Sequence, residues 1–508
     1  MTPAGPCLLG LDVGTTGAKA VLVDASGAVR ATATREYPLL VPRPGWTEQD
    51  PDAWWEASAE AIREALARSA VPPAQVAAVG LTGQMHGLVA LDASGRVLRP
   101  AILWNDQRTH EECAWITERV GAERVIALTG NPALTGFTAP KLLWLRRHEP
   151  DVYGRIAHVL LPKDYLRFRL SGVLATDVAD ASGTTWLDVQ RRTWSEEMLA
   201  ALDVPRAWLP TVHESPEVTG RLTRAAAEAT GLAEGTPVVA GAGDQAAQAV
   251  GTGIVREGLV AVTIGTSGVV FAHLDAPRID PQGRVHAFCH AVPGRWHVMG
   301  VMLSAGGSLR WLRDALGVWS TRDAPDPYEQ MTAEAAAVPP GAEGLLFLPY
   351  LTGERTPHAD PFARGAFVGL TLRHTRAHLV RAVLEGVAFG LRDALEIIRG
   401  MGVAVAEVRA SGGGARSPLW RQILADVLGV EVVTVTTTEG AAYGAALLAG
   451  VGAGLFSSVE AACETAVAPT GRTVPDGGRV GRYDALYRTY GALYPALRAS
   501  ARALHAVS

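Results

Sequence analysis

The sequence predicts an α/β protein of two domains facing each other across a cleft, and three observations carry that expectation. Its 508 residues exceed what one hydrophobic core usually serves. Apolar strand-like runs alternate with helical stretches of roughly 10–15 residues, which argues against a sandwich or a bundle. One pattern, an apolar strand, a G-T-[ST]-G turn and a second apolar strand, occurs once in each half, as an internal duplication would leave it.

In chain order, LLGLDV, the turn Gly14-Thr15-Thr16-Gly17 and AKAVLVD form a hairpin, with Asp24-Ala25-Ser26-Gly27 as the next turn. Asp50-Pro51 reads as an N-cap followed by proline in the first turn, and Trp54, Trp55, Ala61, Ile62 and Leu66 then recur at helical spacing. Strands resume after Gln75 with VAAVGLTG and GLVALD. The change of domain is expected between Gly251 and Gly258. VAVTI, Gly265-Thr266-Ser267-Gly268 and VVFAHL then repeat the opening. A helix at Leu379 to Gly400, a strand at Val403 to Ala410, the turn Gly412-Gly413-Gly414, a helix at Pro418 to Leu428 and the strand VEVVTV follow. Beyond about Gly454 the alanine-rich chain reads as helix, giving expected spans of 1–252, 253–455 and a helical extension at 456–508.

Composition narrows the function. Hydrophobic residues make up 48% and charged residues 19%, the balance of a folded chain rather than a disordered one. A net charge of -5 with no Lys/Arg-rich run offers no field for a phosphate backbone, so nucleic acid is not an expected partner. Cys7, Cys113, Cys289 and Cys463 are scattered without a CxxC pair, which fits a reducing compartment. The N-terminus lacks a basic region and cleavage site, and no apolar run approaches the roughly 20 residues that span a bilayer. The expected location is the cytoplasm, with no membrane partner.

The duplicated turns carry the first chemistry. Glycine-bracketed turns at strand ends can aim backbone N–H groups and hydroxyls at one anion, so two of them could grip a nucleotide's phosphates from both sides. A tight hairpin alone would look the same. Asp12, just before the first turn, adds a carboxylate able to hold Mg²⁺ through its waters. Asp244 lies between the glycines of Gly241-Ala242-Gly243 and a small-residue helix, placed to receive a proton at a strand-to-helix junction lining the gap between domains. A helix-capping aspartate is the alternative. The formal GxGxxA match there is rejected as a dinucleotide site, and the P-loop pattern GxxxxGK[ST] is absent. Gln84-Met85-His86-Gly87 and Trp104-Asn105-Asp106 follow neighbouring strands, where polar side chains converge on one crevice and suit a polyhydroxylated ligand. Gly412-Gly413-Gly414-Ala415-Arg416-Ser417 and Gly306-Gly307 could admit a ring or ribose, or be plain connections. His286, Cys289 and His290 lie on a strand-like segment whose alternate side chains point apart, so a shared metal ion is not expected.

Together these residues resemble the FGGY carbohydrate kinases, from Leu9 to about Gly450. PYLTGERTP at Pro349 to Pro357 and DPFARGAFVGL at Asp360 to Leu370 are specific to that family. WTEQDP at Trp46 to Pro51, GQMHG at Gly83 to Gly87 and LRPAILWNDQR at Leu98 to Arg108 point to its D-xylulose-phosphorylating branch, with further support between Phe137 and Gly172. The resemblance implies the actin/Hsp70-like (ribonuclease H-like) ATPase fold, ATP and Mg²⁺, transfer of phosphate to D-xylulose, and a homodimer. It implies Asp244 as catalytic base and Asp12 as the Mg²⁺-associated carboxylate. Met85, His86, Trp104, Asn105, Asp106 and Gln245 would line the sugar pocket. Thr15, Thr16, Gly265 and Thr266 would contact phosphate, and Gly306, Gly413 and Ser417 the base and ribose. That branch commonly has Asn after the catalytic aspartate; Gln245 keeps the amide and changes its reach. The rivals are a kinase of ribulose, glycerol or gluconate, and an actin- or Hsp70-like ATP-driven binding module.

Overall fold

The computed structural model describes residues 5–317, 326–436 and 439–507, so the ends of the expected outer spans at Met1 and Ser508 lie outside the described residues. The first G-T-T-G turn joins β1 (Cys7–Val13) to β2 (Gly17–Asp24), and β3 (Val29–Glu36) follows. Helix α1 (Pro51–Ser69) begins at Asp50, whose side chain accepts from the Asp52 N–H, with Pro51 in the first turn where its missing N–H costs nothing. Its Trp54, Ile62 and Leu66 face the sheet, each contributing about 1.5–3 kcal/mol by leaving water. Strands β4 (Val76–Gly83), β5 (Val218–Arg221), β6 (Pro237–Val239) and β7 (Ala242–Gly243) complete a seven-stranded sheet of order β5-β6-β4-β1-β2-β3, with β7 beside β4. Between β4 and β5, helix α2 (Thr138–His148) belongs to a separate hydrophobic cluster that includes Trp144 and Trp186.

Helix α3 (Asp244–Gly251) leads out of β7 toward the second sheet. That sheet contains β8 (Gly258–Ile264), β9 (Gly268–Leu274), β10 (His286–Cys289), β11 (Trp296–Met302), β12 (Val405–Ser411), β13 (Val432–Val435) and β14 (Pro469–Thr473), in the order β10-β11-β9-β8-β12-β13-β14. Helices α4 (Gly306–Leu316), α5 (Arg376–Gly400), α6 (Pro418–Leu428) and α8 (Gly477–Val507) accompany it, with α7 (Gly440–Gly452) lying between α6 and α8 in the chain. The duplication is explicit in the pairing. Along β3-β2-β1-β4-β6 the contacts run antiparallel, antiparallel, parallel, parallel, and along β11-β9-β8-β12-β13 they run identically. This is the ribonuclease H-like arrangement repeated.

Two features were not legible beforehand. The tail expected to be helical contains the edge strand β14, where Pro469 and Gly471 are tolerated because an edge needs only one bonded side. Helix α7 lies in the second half of the sequence yet covers the first sheet. A β-carbon on Gly10 would stand 1.8 Å from the Ala442 carbonyl oxygen, on Gly80 1.9 Å from that of Ala445, and on Gly444 1.8 Å from that of Ala247. Glycine at these crossings lets the α7 backbone touch those of β1, β4 and helix α3.

Candidate active site

The cleft ends of β1, β4 and β7 stand abreast, Val13 opposite Gly83 and Gly83 opposite Gly243. This alignment puts Asp12 at the end of β1 and Asp244 at the first turn of α3. The cap position of α3 is Gly243, with no side-chain cap bond, so the capping alternative for Asp244 does not describe its place. A β-carbon on Gly243 would sit 2.8 Å from Met85 Cγ, so glycine there lets Met85 close against the base of Asp244. Burial pushes the Asp244 carboxyl up to about 7 and the Asp12 charge adds to it, while bonds from the Gln245 backbone and side chain oppose the rise. Burial likewise lifts Asp12 to about 6 against the opposing charge of Lys19. Asp12 Oδ1 is shut off from solvent with no hydrogen-bond partner among the described residues. A buried, unsatisfied carboxylate oxygen fits a hydrated divalent cation. Among the described residues no group of three or more His, Cys, Asp or Glu could hold a metal unaided, so phosphate oxygens and water would have to complete its shell.

The first turn is anchored from behind. Tyr37 donates to the Gly14 carbonyl at 2.5 Å, Gln84 Nε2 to the same oxygen at 3.2 Å, and Gln49 Nε2 to the Thr15 carbonyl at 2.7 Å. Gln49 in turn accepts from Gln84 and from the Trp54 indole, at 2.9 and 3.0 Å. With the Gly14 and Thr15 carbonyls tied down, the turn is held in one shape, as an anion-binding nest requires. Sequence reasoning did not single out Gln49, Tyr37 or the role of Gln84. Their only signal is a buried amide pair, which becomes meaningful once the turn is in view. Trp104 was grouped with the sugar residues; its Nε1–H donates to Thr15 Oγ1 at 3.0 Å, linking that group to the phosphate turn.

His86 is held in the left-handed region at φ 71°. Its carbonyl takes Lys141 Nζ at 2.8 Å and Thr138 Oγ1 at 3.1 Å, and its ring lies parallel to Phe137 at 4.4 Å. Nδ1 is 2.8 Å from the Gly183 carbonyl, an acceptor, so Nδ1 carries the proton and Nε2 offers a lone pair. Burial drives its proton affinity down to about 3, with the charges of Lys141 and Arg355 adding to the effect. The ring is therefore neutral at physiological pH. Asn105 Oδ1 accepts from Thr47 Oγ1 at 2.7 Å. Asp106 is placed differently from its neighbours: fully buried, it accepts from the Arg108 backbone and Nε through Oδ1, both at 2.9 Å, and from Arg108 and the Thr47 amide through Oδ2, both at 2.7 Å. It holds the loop and has no oxygen left for a ligand.

On the second sheet a cavity of about 850 Å³ is lined by Gly265, Thr266, Gly306, Gly413, Ser417 and Trp420, among others. It brings together the glycine turns that the sequence scatters over 150 positions. The Gly306 and Gly307 amides donate to the Gly265 and Thr266 carbonyls at 2.8 and 3.0 Å, so the second turn is tied down as the first is. Gly413 has open space where a β-carbon would be, and Ser417 caps α6 by accepting from the Trp420 amide. Tyr328 and Arg310 also line the cavity and carried no sequence signal.

Comparison with known proteins agrees with this geometry. Residues 7–251 match the model of the N-terminal domain of the FGGY family of carbohydrate kinases, and residues 260–453 that of its C-terminal domain. The xylulose kinase of Escherichia coli (strain K12) is 46% identical over 446 residues, 88% of this chain and 90% of the relative. The xylulose kinase of Bacillus subtilis (strain 168) is 39% identical over 488 residues, 96% of each. The crystal structure of a xyloylose kinase from Brucella ovis superposes with a TM-score of 0.90 at 41% identity, covering 97% of this chain and 99% of that one. The duplicated sheets are thus those of the two-domain actin/Hsp70-like ATPase fold, and the chain belongs to the FGGY family of carbohydrate kinases.

Proposed function

We propose that this sugar kinase phosphorylates D-xylulose, yielding D-xylulose 5-phosphate and ADP from ATP, with Asp244 as general base. The observation that carries the base assignment is the Asp244 carboxyl, drawn up to about 7 by burial and by the charge of Asp12, at the start of α3 next to Gly243, against which Met85 packs. A carboxyl of that proton affinity accepts a hydroxyl proton efficiently near neutral pH. The names and identities of the E. coli and B. subtilis relatives support the acceptor.

In this reading the neutral Nε2 of His86 accepts a hydrogen bond from a sugar hydroxyl, and Phe137 and Met85 pack the carbon chain. Gln245 braces Asp244, and Asn105 borders the pocket, whereas Asp106 shapes it through Arg108. Asp244 takes the proton of the terminal hydroxyl as that oxygen bonds to γ-phosphorus; the bond to the β–γ bridging oxygen breaks and ADP departs. The Thr15, Thr16, Gly265 and Thr266 turns hold the phosphates, and Gly306, Gly413 and Ser417 the base and ribose. Asp12 is the residue that would hold Mg²⁺, which when bound neutralises phosphate charge. Most of the acceleration then comes from positioning and charge stabilisation. The lobes at 1–252 and 253–455 supply acceptor and nucleotide surfaces; of the extension, Val459, Ala462 and Cys463 pack with the first lobe's core and Tyr483, Tyr490 and Tyr494 with the second's. The four buried free cysteines suit a reducing cytoplasm, and no helix among the described residues is long and apolar enough to cross a membrane.

The test is a panel of ketoses, aldoses and polyols with Mg-ATP in an ADP-release assay. D-xylulose should give kcat/KM at least tenfold above ribulose, glycerol and gluconate. A higher value for any of these reassigns the acceptor, and acceptor-independent ADP release would point to the nucleotide-driven binding module.

A further inference from the structure

The segment Glu354-Arg355-Thr356 is stitched to the edge of the second phosphate turn. Thr356 exchanges backbone and hydroxyl bonds with Val301 at 3.0 and 3.1 Å, and Glu354 Oε1 accepts from the Leu303 amide at 3.0 Å. These residues end β11, whose Met302 pairs with Gly268, the last residue of the Gly265–Gly268 turn. Arg355 is therefore one strand away from the phosphate-facing loop of the second lobe. Its positive charge nevertheless depresses the proton affinity of His86, in the first lobe's sugar pocket, and of His286, whose ring is 5.9 Å from Phe137. The backbone at Arg355 is thus fixed beside the second lobe's phosphate turn, and its charge is felt in the first lobe's sugar pocket.

Among the described residues its guanidinium makes no hydrogen bond or ion pair. The side chain is half-buried, and burial lowers its own proton affinity. Glu354 next to it compensates only in part. Oε1 of that residue is occupied by the Leu303 and Arg355 amides, and burial raises the carboxyl to about 8, leaving it largely protonated at neutral pH. A partly desolvated guanidinium with only a weak counter-charge is costly, and the cost is recovered when an anion of matching geometry arrives. The planar fork fits two phosphoryl oxygens at once.

We propose that Arg355 is a catalytic residue of the cleft, its guanidinium pairing with the phosphoryl group during transfer and then with the phosphate ester of the product. The inference rests on the kinase reading above and adds a second-lobe contact to it.

The experiment compares Arg355→Gln and Arg355→Lys with the unaltered protein, measuring turnover, calorimetric affinity for free acceptor, and affinity for the acceptor's phosphate ester. Arg355→Gln should lose about 100-fold or more in kcat, as loss of a transition-state charge contact does. It should bind the ester at least tenfold more weakly while free-acceptor affinity stays within about twofold. Arg355→Lys, keeping charge without the fork, should fall between. Turnover within threefold of the parent, or free acceptor weakening in step with the ester, overturns the proposal. If Arg355→Gln does not fold by circular dichroism, Arg355→Lys decides: a loss of at least fivefold in kcat at unchanged acceptor affinity supports it, and anything less overturns it. The unaltered protein is run on the acceptor panel in parallel. A different preferred acceptor defeats the xylulose reading, and the arginine contrast is then read with that acceptor's ester. Full xylulose turnover in both parent and Arg355→Gln defeats the arginine inference alone.

Discussion

Asp12 and Asp244 titrate as neighbours: the charge of the first adds to burial in raising the second. The carboxylate needed to accept a proton therefore appears only as pH rises through about 7, and kcat/KM should fall on the acid side with a midpoint there. Replacing Asp12 by Asn removes the like charge, so the midpoint should move down by about 0.5–1 pH unit even as the maximum rate drops. A pH–rate profile of both proteins checks this; an unmoved or upward midpoint contradicts it.

Asp244→Asn should retain sugar and nucleotide affinity within about threefold and lose about 10³-fold in turnover. The same variant should be the more heat-stable at alkaline pH. A carboxyl whose folded value lies above its unfolded one binds a proton on folding, so its ionised form destabilises the fold progressively from about pH 4 to 7. Calorimetric Tm should rise by about 1–3 °C at pH 8, with the gain vanishing near pH 4. Near-normal turnover removes Asp244 from the base role.

Because burial keeps His86 neutral down to about pH 3, the KM for sugar should show no histidine step between about pH 5.5 and 8. Phe137→Leu takes away the ring that stacks on it and should raise that KM by about 5- to 20-fold with little change in KM for ATP.

Gly413→Val tests the nucleotide side. Its β-carbon would meet nothing within 4 Å, so the fold tolerates the side chain, which instead projects into the cavity. KM for ATP should rise about tenfold or more while sugar affinity is unchanged. The reverse pattern would move the nucleotide elsewhere.

Gly444→Ala places a methyl group 1.8 Å from the Ala247 carbonyl, a backbone atom that cannot step aside. The expected cost is about 3 kcal/mol or more, read as a lower denaturation midpoint or loss of soluble protein.

Local signals made much of this legible. The duplicated turns, the Asp50-Pro51 start of α1 and the strand-to-helix switch at Asp244 are written in neighbouring residues, because hairpins, caps and junctions are short-range events. The glycines from Gly265 to Ser417 could be named from their motifs, but their convergence on one cavity is a property of the second sheet's strand order. Asp106 misled for a related reason: an acidic residue after a strand can face a ligand or an arginine, and Arg108, two positions on, becomes its partner only through the turn between them. Lys141 and Gln49 were silent because each acts through a contact more than thirty positions away, and Arg355, though it lies within PYLTGERTP, because its place is set by the pairing of its neighbours with β11.

Helix α7 determines how the two lobes can exist at all. It is synthesised after most of the second sheet, yet it seals the apolar face of the first, so a nascent first lobe waits with Leu8, Val21 and Ala78 bare until residue 440 and beyond have emerged. Cutting the gene between residues 252 and 258 would yield two fragments, one uncapped and one carrying an orphaned small-residue helix. Each should be rescued only by co-expression with the other.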